Sequence, residues 1–329
     1  MGDDLQLMEI GRRSVLTLPL GALAMPALAQ AADETLPSWP PAEHFALWPG
    51  RPPGSPDRLP QPRPEITGKP GEYRDLALRG VAQPMVGVFR PAQPDGRAVL
   101  IAPGGGYEFT SQRNEGLDIA ATLNRAGITG FVLSYRLPGE GWRDRANTPL
   151  ADAQRAMRLI RANAARYAVD PARLGVIGFS AGGHLAGSLA TQHAATVYQP
   201  IDAADRQSAR PDFAGLIYAV SNVDPGRSHG GSRDKLLGPS PDPAMQVRYA
   251  VERNIRTDTP PLFLLHTEDD TVVPVQNSLN SFAAARAAKV PVVGMFLPHG
   301  GHGFGVRLPA SEPASQWPEV FARWAGNPA

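Results

Sequence analysis

The stretch from Arg173 to Ala190 constrains this chain more than any other. An apolar run, Arg173 to Phe179, enters Gly178-Phe179-Ser180-Ala181-Gly182, and small residues with leucine leave it. A strand, a sharp turn and a helix in that order form the setting of a nucleophile elbow. Gly178 and Gly182 flank a turn in which a side chain would clash, so the backbone is free to lift the Ser180 hydroxyl out of the sheet. Ser180 is therefore the candidate nucleophile. The plainer alternative is a serine that merely caps a helix, and a bare Gly-x-Ser-x-Gly also arises by chance. The clean strand before it and the helical composition after it favour the elbow.

The remaining segments supply a frame for that turn. Tyr73 to Leu78 and Met85 to Arg90 read as short strands of an antiparallel opening, and Arg97 to Ala102 as an apolar strand ending in Pro103-Gly104-Gly105-Gly106-Tyr107. A helix follows over Glu115 to Ala126, then a strand over Gly130 to Tyr135, a helix over Ala151 to Arg166, and the strand that feeds Ser180. Further strands are expected over Phe213 to Val220, Leu262 to His266 and Val292 to Leu297, with closing helices over Gln276 to Ala288 and Glu319 to Ala325. Strand and helix alternating at these lengths predict an α/β domain with a mainly parallel central sheet flanked by helices. With 329 residues, 42% of them hydrophobic, the chain can bury a full core, and one large catalytic domain over 72–329 is expected. Between about 221 and 259 the pattern lapses into Gly, Pro, Asp and Arg. This insertion is placed to form part of a substrate rim at the carboxyl ends of the strands.

Ahead of the domain, residues 30–71 are dense in proline, which forbids regular helix or sheet and predicts an extended arm, laid over the domain or partly mobile. Trp39, Phe45, Leu47 and Trp48 argue that some of it packs. At the start, Arg12-Arg13-Ser14 precedes an uncharged stretch, Val15 to Ala29, that ends in Ala27-Leu28-Ala29. That order matches a signal peptide of the twin-arginine type over 1–29, and predicts a bacterial protein exported to the periplasm or beyond. The stretch contains Pro19 and Pro26 and falls short of the roughly 20 residues a spanning helix needs, so no membrane anchoring is expected after cleavage. A formal charge of +1, with no basic stripe interleaved with aromatics, gives no footprint for nucleic acid. The absence of cysteine excludes disulfides, thiol nucleophiles and cysteine-based metal sites.

A serine is a poor nucleophile without a histidine base, itself oriented by a carboxylate. Both lie downstream in the order Ser, acid, His. The acid candidates are Glu268, Asp269 and Asp270, directly after a strand; Asp270, followed by Thr-Val-Val-Pro, is favoured, and the other two read as loop carboxylates. The base candidate is His302, in Gly300-Gly301-His302-Gly303-Phe304 after the last strand, with His299 as its rival. His184 and His266 read as structural, filling space under the elbow and the acid loop, while His229 in the insertion could touch substrate. An oxyanion needs preorganised N–H donors. One is expected from Ala181, the other from Gly105 or Gly106, although a triple glycine alone could be a plain tight turn.

With these motifs in place the chain resembles the α/β-hydrolase family. More narrowly it is similar to bacterial carbohydrate esterases, the acetylesterases and acetyl xylan esterases, which are related to lipase-like and feruloyl-esterase-like proteins. The resemblance runs from Leu47 to Trp324 and includes Leu47-Trp48-Pro49-Gly50, Ala102 to Tyr107, Ser134-Tyr135-Arg136-Leu137-Pro138 and Pro149 to Ala156. Gly178 to Ala186, Gly231-Ser232-Arg233 with Leu236-Leu237-Gly238, Asp270 to Pro274 and Gly300 to Gly305 continue it. It implies an α/β-hydrolase fold and a serine esterase without metal or cofactor, with Ser180, Asp270 and His302 as its triad. Its substrate would be an acetylated carbohydrate, and Tyr107, His229 and Ser232 are candidate substrate contacts. Arg136 and Asp152 would be structural, Asp152 near a helix start where a carboxylate suits the dipole. Pro103 departs from the pattern, standing where many lipase relatives carry histidine. A prolyl-oligopeptidase-like peptidase, a lipase and a non-catalytic glycan-binding protein remain as rivals. The polar insertion, with Arg227, His229, Arg233, Asp234 and Lys235, favours a hydrated substrate. Oligomeric state is not readable.

Overall fold

The computed structural model describes residues 36–328, so the signal-peptide reading over 1–29 and the first residues of the arm lie outside the described residues. Apolar runs such as Ala-Val-Leu-Ile-Ala and Leu-Phe-Leu-Leu-His-Thr are buried along their whole length, as strands covered on both faces must be. Eight strands form one sheet in the order β1 (His44–Ala46), β4 (Met85–Phe89), β7 (Thr129–Ser134), β5 (Ala98–Ala102), β8 (Leu174–Phe179), β9 (Ala214–Ile217), β10 (Leu262–Thr267) and β11 (Val292–Leu297). From β7 to β11 every pairing is parallel, whereas β1 and β4 are joined antiparallel at one edge. A second sheet of three strands combines β2 (Arg63–Thr67), β3 (Asp75–Arg79) and the short β6 (Thr110–Ser111).

Alternate residues of the central strands enter two separate cores. On one face Leu100, Val176 and Leu264 meet α2 (Asn147–Ala162), α3 (Ser180–Gln192) and α7 (Gln276–Ala287). On the other, Val99, Ile101, Ile177, Phe263 and Leu265 meet α1 (Asp118–Arg125) and α8 (Trp317–Trp324). Each such fully buried side chain contributes about 1.5–3 kcal/mol. The chain leaves β5 to build β7 on one side and returns to build β8 on the other, so β5 and β8 bracket the switch point of the sheet. Their carboxyl ends, paired Ala102 to Gly178, are where a ligand crevice opens in such sheets.

Several expectations change. The strands around Asp75 and Met85 do not pair with each other: β3 joins the small sheet, and β4 joins the large one. The apolar side chains decide this, since Leu76 and Leu78 pack on Ile66 and Trp39, while Val86 and Val88 enter the main core. The proline-rich arm does form sheet, as β1 and β2. Both are edge strands with a partner on one side only, and an edge tolerates Pro64 because no ladder bond is required of it there. Leu47 and Trp48 are buried, as the aromatic content of the arm predicted. The insertion is not irregular. It holds α4 (Gly230–Leu237), α5 (Pro243–Tyr249) and α6 (Val251–Asn254). The start of α5 was legible: Asp242 accepts from the Ala244 amide at 2.7 Å, and Pro243 occupies the first helical position.

Asp152 is also relocated. Because α2 begins at Asn147 rather than Ala151, Asp152 lies a full turn inside the helix. Its buried carboxylate accepts from Arg136 at 2.8 Å and from the Trp48 indole at 2.8 Å. It binds the arm and the loop after β7 to α2, rather than complementing a helix end.

Candidate active site

Ser180 is the first residue of α3, at the end of β8, with a left-handed φ of 53°. A non-glycine residue there is strained by about 1–2 kcal/mol, and the glycines on either side make the turn feasible. A Cβ at Gly178 would lie 2.0 Å from the Gly182 carbonyl oxygen, and one at Gly182 would lie 2.1 Å from that of Ala102. The hydroxyl meets His302 Nε2 at 2.9 Å, and His302 Nδ1 meets Asp270 Oδ2 at 2.7 Å. Ser180, Asp270 and His302, chosen from the sequence, are thus brought into one hydrogen-bonded chain by the loops after β8, β10 and β11.

The electrostatics fix the tautomer of that chain. Burial alone would raise the Asp270 pKa, but hydrogen bonds from His266 and His302 and from the Val273 amide outweigh it and hold the carboxyl well below the usual carboxylate range. An ionised Asp270 accepts a proton-bearing Nδ1, which leaves Nε2 of His302 free to accept from the serine hydroxyl. His266 is more than filler. Its Nδ1 takes a hydrogen bond from the Ser278 hydroxyl at 2.7 Å, and its Nε2–H is shared between the Val273 carbonyl at 2.9 Å and Asp270 at 3.2 Å. Asp269, the rival acid, accepts from the Gly300 and Gly301 amides at 3.2 and 2.8 Å and so props the histidine loop. The rival base His299 is exposed beside it.

The loop after β5 presses on the elbow from the other side. A Cβ at Gly104 would lie 2.9 Å from that of Ser180. The Gly104 amide donates to Glu115 Oε2 at 2.7 Å and is thereby occupied. The amides of Gly105, Gly106 and Ala181 have no acceptor among the described residues. Pro103 does not disturb this loop, since the Tyr135 hydroxyl donates to its carbonyl at 2.8 Å.

The candidate substrate contacts divide. Tyr107 is buried, with a left-handed φ of 58°, and its hydroxyl bonds His184 Nδ1 at 2.8 Å. That turn sends the ring under the site, so the side chain is a support and not a contact. His184 is held on its other nitrogen by the Tyr249 carbonyl, and burial lowers its pKa to about 4, which keeps the ring neutral. Ser232 is buried too, and its amide and hydroxyl both serve His229 Nδ1, at 3.2 and 2.8 Å. Because a backbone amide can only donate, Nδ1 of His229 is an acceptor and its proton sits on Nε2. Burial and the nearby His302 lower the His229 pKa, so the ring is a neutral donor.

His229 lines a cleft of about 420 Å³ together with Ser180, His302, Gly105 and Gly106. Sequence reasoning missed its far wall, which the small sheet supplies through Thr67, Asp75 and Arg79. It missed Glu115 as well, a buried carboxyl on the cleft that had been read only as the start of a helix. Among the described residues no cluster of three or more His, Asp or Glu could hold a metal ion, and no helix is long and apolar enough to cross a membrane.

A mainly parallel sheet flanked by helices, with a serine elbow at its switch point, defines an α/β-hydrolase. The BD-FAE family of α/β-hydrolase esterases matches residues 88–284, and the chain belongs to that family. It is 35% identical over 221 residues to an acetylxylan esterase of Xylanibacter ruminicola, covering 66% of this chain and 43% of that protein. It is 36% identical over 230 residues to endo-1,4-beta-xylanase B of Butyrivibrio fibrisolvens, covering 70% of this chain and 34% of that protein. The chain thus spans less than half the length of these two relatives. The crystal structure of an acetyl ester-xyloside bifunctional hydrolase from Caldicellulosiruptor lactoaceticus superposes with a TM-score of 0.68 at 31% identity, covering 87% of this chain and 96% of that one.

Proposed function

We propose that this protein is a serine esterase that removes acetyl groups from carbohydrate. The observation that carries the reading is the hydrogen-bonded Ser180–His302–Asp270 chain, and the likeness to an acetylxylan esterase supports the choice of substrate. His302 Nε2 takes the serine proton as Oγ attacks the ester carbonyl, and the amides of Ala181 and of Gly105 or Gly106 receive the oxyanion. His302 then returns the proton to the departing sugar hydroxyl. Water, activated by the same imidazole, releases acetate from the acyl-enzyme, while Asp270 holds the ring in its tautomer throughout.

The cleft argues for a hydrated leaving group. Its lining combines Asp75, Arg79 and His229, which can meet hydroxyl groups, with Phe109 and Val272, which can take the acetyl methyl. The Nε2–H of His229 is suited to a sugar hydroxyl. Acetate release is expected to be faster from acetylated xylan and acetylated xylo-oligosaccharides than from acetylated pectin, and hydrolysis of long-chain p-nitrophenyl esters is expected to be negligible. His229→Ala should raise KM for the acetylated sugars and leave p-nitrophenyl acetate nearly unaffected. Preferential cleavage of long-chain esters would replace this reading with that of a lipase.

We also propose export, which rests on the twin arginines and small-residue ending of the first 29 residues. Expressed in a bacterium with a twin-arginine pathway, the mature protein should begin near Gln30 by mass spectrometry. An intact N-terminus on cytoplasmic protein would contradict it.

A further inference from the structure

Two groups at this site come from loops far apart in the chain. Gly104 belongs to the loop after β5, and Tyr218 follows β9. Both converge on Glu115. The Gly104 amide donates to Oε2 at 2.7 Å, and the Tyr218 hydroxyl donates to Oε1 at 2.9 Å. Tyr218 in turn accepts the Gly305 amide at 3.1 Å, and its ring lies 5.0 Å from the His302 ring. Its φ of 36° is left-handed, a conformation a tyrosine keeps only when its surroundings impose it.

Glu115 is carried by a π-helical turn, Arg113–Leu117, which stands immediately before α1. Such wide turns are rare and are frequently found at functional sites. The turn is fastened from outside by Asp75, which accepts the amides of Arg113 and Asn114 at 3.0 Å each. Its second residue reaches the histidine loop as well, because the Asn114 side-chain amide donates to the Gly303 carbonyl at 2.9 Å. One short turn therefore touches both the loop that offers amides to the oxyanion and the loop that carries the base.

We infer that Glu115 is a positioning residue whose two carboxylate oxygens tie the oxyanion loop at Gly104 to the His302 loop through Tyr218. The inference rests on the esterase reading and concerns the same site. By consuming the Gly104 amide, Glu115 leaves Gly105 and Gly106, which line the cleft with Ser180, as the loop amides without an acceptor among the described residues. By accepting the Tyr218 hydroxyl, it holds the ring against which His302 packs. A carboxylate suits both positions because each partner is a donor. A glutamine has only one acceptor oxygen: with that oxygen kept by the Gly104 amide, its Nε2 meets the Tyr218 hydroxyl as a donor, and the Tyr218 proton loses its acceptor.

Burial raises the Glu115 pKa, opposed by the Tyr218 hydroxyl, the Gly104 amide and nearby His302. A carboxyl kept out of water this way is a poor choice for filling space, which argues that its two bonds matter to the site.

The test is steady-state kinetics of Glu115→Gln, Tyr218→Phe and the double variant on p-nitrophenyl acetate and an acetylated xylo-oligosaccharide, with Ser180→Ala alongside. Glu115→Gln is expected to lose about tenfold or more in kcat with KM within about threefold, because the damage falls on transition-state contacts. Tyr218→Phe should lose less, in the same direction. The double variant should lose no more than the worse single, since both break one network. Unchanged kcat in Glu115→Gln, a loss confined to KM, or losses that multiply in the double variant would each overturn the inference. Should Glu115→Gln fail to fold, Tyr218→Phe decides: a fall in kcat at constant KM supports the tie, and wild-type kcat refutes it. An active Ser180→Ala would sink the esterase reading itself, whereas an inactive Ser180→Ala beside a fully active Glu115→Gln would sink only this inference.

Discussion

Ser180→Ala is expected to lower kcat on p-nitrophenyl acetate by about 10⁴- to 10⁶-fold, the range seen when the nucleophile of a serine triad is removed. The size of the effect follows from the geometry. The Ser180 hydroxyl is the oxygen held by His302 at 2.9 Å, and it lines the cleft with Gly105 and Gly106, whose amides have no acceptor among the described residues. Without it, His302 and the amides can act only on a bound water. The fold should be unaffected, because among the described residues the hydroxyl makes no hydrogen bond besides the one to His302. His302→Ala is expected to lose nearly as much, and Asp270→Asn about 10³- to 10⁴-fold through loss of the productive tautomer. An unchanged thermal midpoint with collapsed kcat is the pattern to look for in Ser180→Ala, whereas Asp270→Asn is expected to lose stability as well, because the carboxylate also accepts from His266 and the Val273 amide. Residual activity within a hundredfold of the parent in Ser180→Ala would remove Ser180 from the mechanism.

The largest expected effect on stability lies away from the chemistry. Asp152 and Arg136 are both fully buried and paired at 2.8 Å, and Asp152 also holds the Trp48 indole. Arg136 reaches on to the Pro53 carbonyl at 2.6 Å, so the pair fastens the proline-rich arm at two places. Asp152→Ala leaves a buried guanidinium without its partner, which costs about 3–5 kcal/mol. For a domain of this size that corresponds to a fall in Tm of roughly 5–8 °C. Replacing both partners with apolar residues of similar volume should cost less than replacing Asp152 alone, because no unpaired charge remains. Thermal unfolding of the single and double variants checks this, and a shift below about 2 °C for Asp152→Ala would show that the pair is not critical. Loss of the arm would also reach the cleft, since Thr67 of β2 lines its far wall.

The corrections to the sequence reading share a cause. The arm was read as free of sheet because prolines break ladders, yet β2 tolerates Pro64 as an edge strand. Whether a strand lies at an edge depends on which other strand is beside it, which no local pattern reveals. Tyr107 is a candidate substrate contact by resemblance, but its buried ring is directed to His184 by a left-handed backbone. Ser232 was read as a contact and instead sets the tautomer of one.

Residues whose chemistry depends on a few neighbours were legible in the chain: Ser180 between its glycines, Asp270 and His302 each in a loop directly after a strand, and the burial of Leu47 and Trp48 in an otherwise irregular arm. A turn of five residues is specified by those five. Glu115, Tyr218 and Asn114 were not legible, nor was the wall built by Thr67, Asp75 and Arg79. Their partners stand far along the chain, and only the packing of two sheets and a π-helical turn brings a buried carboxyl within reach of Gly104 and Tyr218 together. The elbow's local sequence pointed to Ser180 as the proposed nucleophile, and the tertiary structure decided what holds the groups around it, because hydrogen bonds between distant loops exist only once the core has set their separation.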